Sequence, residues 1–124
     1  MSVNLKRIHH VAYRCRDAKE TVEFYQRVLN MDFVLAIAED EVPSTKEPDP
    51  YMHVFMDAGM GNVLAFFELP NSPEMGRDEQ TPIWVQHIAF EVESMSDLDS
   101  ATSTCSIEEE RQQRGLGEGR GRGV

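Results

Sequence analysis

The sequence predicts an α+β fold of paired βαβββ units, with the second unit truncated. Three observations predict it. "IHHVAYRCRDAKET", beginning at Ile8, is repeated in outline by "VQHIAFEVESMSDL", beginning at Val85, an offset of 77 residues when His10 is set on His87. Between the two copies the pattern runs strand, helix, strand, strand, strand. After about Ala101 that pattern stops.

Each element follows from local rules. "IHHVAYRC" alternates and is rich in branched and aromatic residues, so it reads as a strand. Asp17 followed by Glu20 is an acidic capping box that opens a helix over "DAKETVEFYQRVLN". Ala18, Val22, Tyr25 and Leu29 fall three and four apart, giving that helix one apolar stripe. Asn30 stands where a left-handed helix-ending residue belongs. "DFVLAIA", "YMHVFMD" and "NVLAFFEL" are three strand-like runs. The polar loop "EDEVPSTKEPDP" divides the first two, and "AGMG" divides the last two. After "PNSPEMGRDEQTP" the order restarts, with the strand "IWVQHIAFEV" and then Ser94 with Asp97 as a second capping box.

The first unit spans 5–70 and the start of the second 83–104, within one domain over 1–107. From about Ala101 the chain loses strand alternation, and five glycines lie in its last ten residues. Residues 108–124 are expected to be a disordered tail or the product of an altered reading frame.

Composition narrows the function classes. A chain of 124 residues suits one domain, and 40% apolar with 27% charged residues suits a globular protein. A net charge of −10 argues against nucleic-acid binding, which needs a basic face. No charged-then-apolar leader and no long apolar run are seen, so neither secretion nor a membrane partner is expected. Cys15 and Cys105 do not form a disulfide framework, and a cytoplasmic setting is the default.

Strand alternation then sorts the candidate chemistry. Val11, Tyr13 and Cys15 form the more apolar face of the first strand and should pack on the helix, leaving His10, Ala12 and Arg14 on the helix-free face. In the second copy His87, Ala89 and Glu91 repeat that logic, and in the strand ending the first unit Leu64, Phe66 and Glu68 share a face. His10, Glu68 and His87 thus become candidate ligands, and two imidazoles with a carboxylate suit zinc, nickel, iron or manganese. A lone inward histidine is usually a hydrogen-bonded core residue, but His10 and His87 stand at equivalent positions in two copies. His53, Phe66 and Glu91 are candidate substrate contacts, as is Arg14, although Arg14 and Glu91 could simply pair with each other.

"IHHVAYRCRDAKETVEFYQRVLNMDF", "LAFFELP" and "VQHIAFEV" resemble the vicinal oxygen chelate superfamily, which includes glyoxalase I, extradiol dioxygenases and the bleomycin and fosfomycin resistance proteins. The resemblance covers roughly residues 5–100. It implies a cupped mixed sheet around one divalent metal, with His10, Glu68 and His87 as ligands, Glu68 as catalytic base and Arg14 as a contact for a substrate carboxylate. It also implies a small oxygenated substrate and a homodimer. A glyoxalase I-like lyase or isomerase is the expected activity, with extradiol ring cleavage or ligand sequestration as alternatives. The sequence departs from the family at the fourth ligand, a glutamate on the last strand of the second unit. The 77-residue offset from Glu68 carries that position past Val124.

Overall fold

The computed structural model describes residues 2–104. They divide after Asp78 into two compact units. The first contains β1 (His10–Cys15), α1 (Ala18–Leu29), β2 (Asp32–Glu41), β3 (Pro48–Asp57) and β4 (Val63–Glu68). These form one mixed sheet in the order β1-β4-β3-β2. β1 and β4 run parallel, and the other neighbours are antiparallel. A parallel pair needs a long crossover, which α1 and the two middle strands supply.

α1 forms where its caps and stripe direct it. The Asp17 carboxylate accepts the Glu20 amide at 2.9 Å, and Asn30 closes the helix at φ 53° with its own amide bonded to Tyr25 O. Ala18, Val22, Tyr25 and Leu29 face the sheet and meet Cys15, Met31, Val54, Met56, Leu64 and Phe66. Met56 and Leu64 are completely enclosed there. This one-sided core contains no buried polar side chain among the described residues.

Two of the expected loops take more definite forms. β2 and β3 extend into "EDEVPSTKEPDP" and close a hairpin, with Val42 N donating to Glu47 O at 3.0 Å. Pro48 and Pro50 are tolerated because β4 pairs only with Met52–Asp57, so the missing N–H groups are not required there. The β3–β4 turn runs through Gly59, Met60 and Gly61, all at positive φ (93°, 53° and 78°), and glycine provides that conformation at two of the three positions.

The second unit corrects an expectation. "IWVQHIAFEV" is not a strand: residues 83–93 carry no ladder, and a turn closed by Val85 N and Pro82 O at 3.0 Å lies within their approach. A β-prone sequence needs a neighbouring strand for its backbone groups, and among the described residues no strand lies beside 83–93 in a ladder. The capping box survives, with Asp97 N donating to Ser94 Oγ at 3.1 Å ahead of a helix over 95–104. Cys105 and the expected tail over 108–124 lie outside the described residues.

Candidate binding face of the first unit

β1 presents His10, Ala12 and Arg14 on the face away from α1, as alternation requires. The register then decides what joins them. Arg14 pairs with Phe67, and Phe67 with His53; Ala12 pairs with Ala65, and Ala65 with Phe55; His10 pairs with Val63, and Val63 with Asp57. These side chains share the helix-free face. Ile37 and Leu35 of β2 extend the first two rows.

The face carries a run of rings. The His53 imidazole stacks on Phe67 with centroids 3.6 Å apart and planes 15° apart, and it tilts against Phe55 at 4.1 Å. Tyr51 meets Phe67 edge-on at 5.5 Å, and His10 meets Phe55 edge-on at 6.0 Å. His9 and His10 approach Nδ1 to Nδ1 at 2.9 Å, so one ring donates and the other accepts. Burial lowers the His53 pKa below the usual imidazole value, and the nearby His10 adds to the shift. Arg14 is fixed from one side, its Nη2 donating to Pro73 O at 2.6 Å. Two polar atoms on this face are buried without a hydrogen-bond partner, Arg14 Nε and His53 Nε2.

Phe66 and Glu68 stand elsewhere, which corrects the face expected for Leu64, Phe66 and Glu68. The parallel register sets Val11 beside Leu64, Tyr13 beside Phe66 and Cys15 beside Glu68, all on the α1 face. Phe66 is 6% exposed and stacks on Tyr25 of the helix at 5.1 Å. Glu68 Oε1 accepts the Ala18 amide at 3.0 Å, so its carboxylate caps the start of α1. "VLAFFEL" is apolar at both parities, so alternation alone could not choose its buried face.

The metal implied by the family can be tested against these donors. His10 and Glu68 lie on opposite faces of the sheet and five register positions apart, about 16 Å along the strands. A divalent ion needs all its donors within about 2.0–2.6 Å. His10 and Glu68 therefore do not fit one ion in this arrangement, and no group of three or more His, Cys, Asp or Glu among the described residues is suited to hold one. His87 belongs to the second unit, where its Nδ1 lies 3.0 Å from Val85 O, and Glu91 is exposed in the same unit.

Sequence reasoning missed Tyr51, Phe55 and Phe67. The signal was present in "YMHVFMD", where Tyr51, His53 and Phe55 share one parity and Met52, Val54 and Met56 the other.

Beside Glu68, the Cys15 thiol is raised above its usual pKa by burial, and the Glu68 and Asp17 carboxylates add to the shift. It is a buried free cysteine.

The chain was compared with known proteins. It is similar to the crystal structure of SMU.1112c, with 18% identity and a TM-score of 0.55, over 83% of this chain and 77% of that one. At that identity the likeness concerns the fold. A search of curated proteins gave no match. No helix among the described residues is long and apolar enough to cross a membrane. The profile of the glyoxalase/bleomycin resistance protein/dioxygenase superfamily matches residues 7–115, which is most of the sequence. A βαβββ unit with β1 and β4 parallel and a helix on one side agrees with that match. The chain belongs to the glyoxalase/bleomycin resistance protein/dioxygenase superfamily.

Proposed function

We propose that the chain binds a small molecule on the helix-free face of its first unit, against His10, Arg14, His53, Phe55 and Phe67. The observation that carries this reading is the stacked pair His53–Phe67, with Phe55 and His10 continuing the rings. Aromatic surface with a few convergent polar groups is the usual make-up of a ligand site. Ring faces give a ligand dispersion and stacking energy, while imidazole and guanidinium nitrogens fix its orientation. This is the sequestering role among the family's activities, and it requires no catalytic carboxylate on the face.

A metal-dependent lyase of the glyoxalase type, with ring cleavage as its neighbour, draws support from superfamily membership. That reading needs His10, Glu68 and His87 to converge on one zinc, nickel, iron or manganese ion, with Arg14 and Glu91 toward the substrate. The opposed faces of His10 and Glu68 speak for sequestration instead. Elemental analysis of protein purified without added metal separates the two. Sequestration expects substoichiometric metal that His10→Ala leaves unchanged, together with saturable binding of small aromatic compounds. A stoichiometric ion lost on His10→Ala and on His87→Ala would favour the enzyme.

We assign the protein to the cytoplasm, where a free thiol such as Cys15 stays reduced. We also propose a homodimer. β1 and β2 are the edges of the four-stranded sheet, and strand edges are normally paired or protected.

A further inference from the structure

β4 ends at Glu68 and the chain turns at once, with Ser72 N donating to Leu69 O at 3.3 Å. The turn brings "LPNSP" back to β1, where Arg14 Nη2 donates to Pro73 O at 2.6 Å. Arg14 projects from the helix-free face, so the segment it holds lies on that side of the sheet and not beside α1. The contact stands at one end of the face, because β1 and β4 both stop just past the Arg14–Phe67 pair, at Cys15 and Glu68. Arg14 Nε is shut off from solvent although β1 is an edge strand, as a chain lying across the guanidinium would make it.

The segment has the build of a strap. Pro70 and Pro73 fix their own φ angles and keep Leu69 and Ser72, the residues before them, out of the helical region, so 69–73 is stiff. Proline offers no N–H, which leaves the Pro73 carbonyl as the group to be held, and Arg14 holds it. Beyond it residues 74–80 are exposed, and a β-carbon added at Gly76 would meet nothing within 4 Å. A hydrogen bond from a guanidinium is stronger than a neutral one, but this one is exposed and competes with water, so it fastens the strap reversibly.

We propose that Arg14 is a latch: it holds 69–75 as a strap over one end of the ring face, and opening of the strap sets how fast a ligand enters and leaves. This rests on the binding face proposed above and gives Arg14 a positioning role there, exerted through the strap. A ligand enters only in the open form, and closure behind it slows its escape. Losing the latch therefore speeds association and dissociation together. Losing a direct ligand contact speeds dissociation alone.

The test compares the full chain with Arg14→Gln, Arg14→Lys and the double variant Pro70→Gly/Pro73→Gly, which loosens the strap and leaves the guanidinium in place. Amide exchange followed by NMR reads the strap itself. Arg14→Gln should raise the rates of Ser72, Glu74 and Met75 about tenfold. The double glycine variant should raise them too, and Arg14→Lys, which keeps a charged donor, should restore most of the protection. Slow exchange in Met52–Asp57 identifies a folded variant. Stopped-flow mixing with 2-naphthol, a neutral fluorescent ring compound, reads access to the face. Its association and dissociation rates should both rise in Arg14→Gln and in the double glycine variant, and return toward those of the parent in Arg14→Lys. Unchanged exchange at Ser72 in Arg14→Gln, or faster dissociation with unchanged association, overturns the latch. A wrong binding face gives a different result: 2-naphthol binds none of the four proteins although exchange still responds to Arg14→Gln, which overturns the face and the gate built on it together.

Discussion

His53 is held between Phe55 and Phe67 with its Nε2 buried, so the neutral imidazole is the form the folded chain prefers. Its pKa is lowered in the native state by burial and then by His10, which fixes the sign of the pH dependence. The unfolded chain takes up a proton near pH 6.5 while the folded chain resists, so this contribution to stability is present above that pH and lost as the pH falls through the folded value. Urea midpoints should fall between pH 7.5 and 5.5, and the fall should be smaller in His53→Phe. Equal slopes in the two proteins would show that other groups set the acid response. Cys15 carries the opposite sign. Its raised pKa means that a neutral thiol is favoured by folding, so its contribution is present below about pH 9.0 and lost as the pH rises through the folded value. At neutral pH a thiol reagent should label Cys15 only as fast as the chain opens. Glu68 gives a third residue-scale outcome. Glu68→Ala removes the acceptor for the Ala18 amide at the part-buried end of α1 and should cost roughly 1–2 kcal/mol in urea unfolding. Glu68→Gln keeps an acceptor oxygen and should cost less. Equal losses in both would argue that the negative charge, rather than the hydrogen bond, does the capping.

At the scale of elements, α1 is written almost completely into its own residues. Asp17, Glu20, the stripe Ala18–Val22–Tyr25–Leu29 and the left-handed Asn30 all act within a few positions of one another. Local signals of this kind act without a neighbouring strand, as Ser94 and Asp97 do at the second helix. Asp17→Ala should therefore lower stability by about 1 kcal/mol, measured by thermal or urea unfolding, with no change in affinity at the helix-free face. Strands depend on partners. "NVLAFFEL" and "IWVQHIAFEV" are similar in composition, yet the first is β4, paired on both sides by β1 and β3, and the second carries no ladder.

For the whole molecule, that contrast gives a direct measurement. Amide exchange should be slowest in Met52–Asp57 and Val63–Glu68, where β3 and β4 are paired on both sides, and fast over 83–92. Exchange as slow at 83–92 as in β4 would mean that this segment has found a strand partner in solution. A second copy of the chain is the partner we propose. Phe33, Val34, Leu35 and Ile37 on β2 and Ile83, Trp84 and Val85 in the second unit are exposed apolar side chains, which soluble proteins normally cover. Light scattering at micromolar concentration should give the mass of a dimer, and a monodisperse monomer would refute it. Lys in place of Ile37 on the exposed edge strand tests whether β2 takes part in that contact.

The residues alone determined the order of elements in the first unit, the caps of α1, the two faces of β1 and the membership suggested by the repeated strand and helix. All of these are carried by contacts a few positions apart or by strict alternation. Which face Glu68 and Phe66 occupy was decided only by tertiary structure. A strand apolar at both parities has no preferred side until its neighbour sets the register, and pairing Cys15 with Glu68 turned that carboxylate toward the helix. The same pairing brought Arg14, Phe67 and His53 into one row, although they lie on three different strands. The second repeat of "HIAFEV" needed still more. Its propensity is as strong as that of the first copy, but a strand exists only when another backbone accepts and donates its hydrogen bonds, and among the described residues 83–93 have no ladder partner.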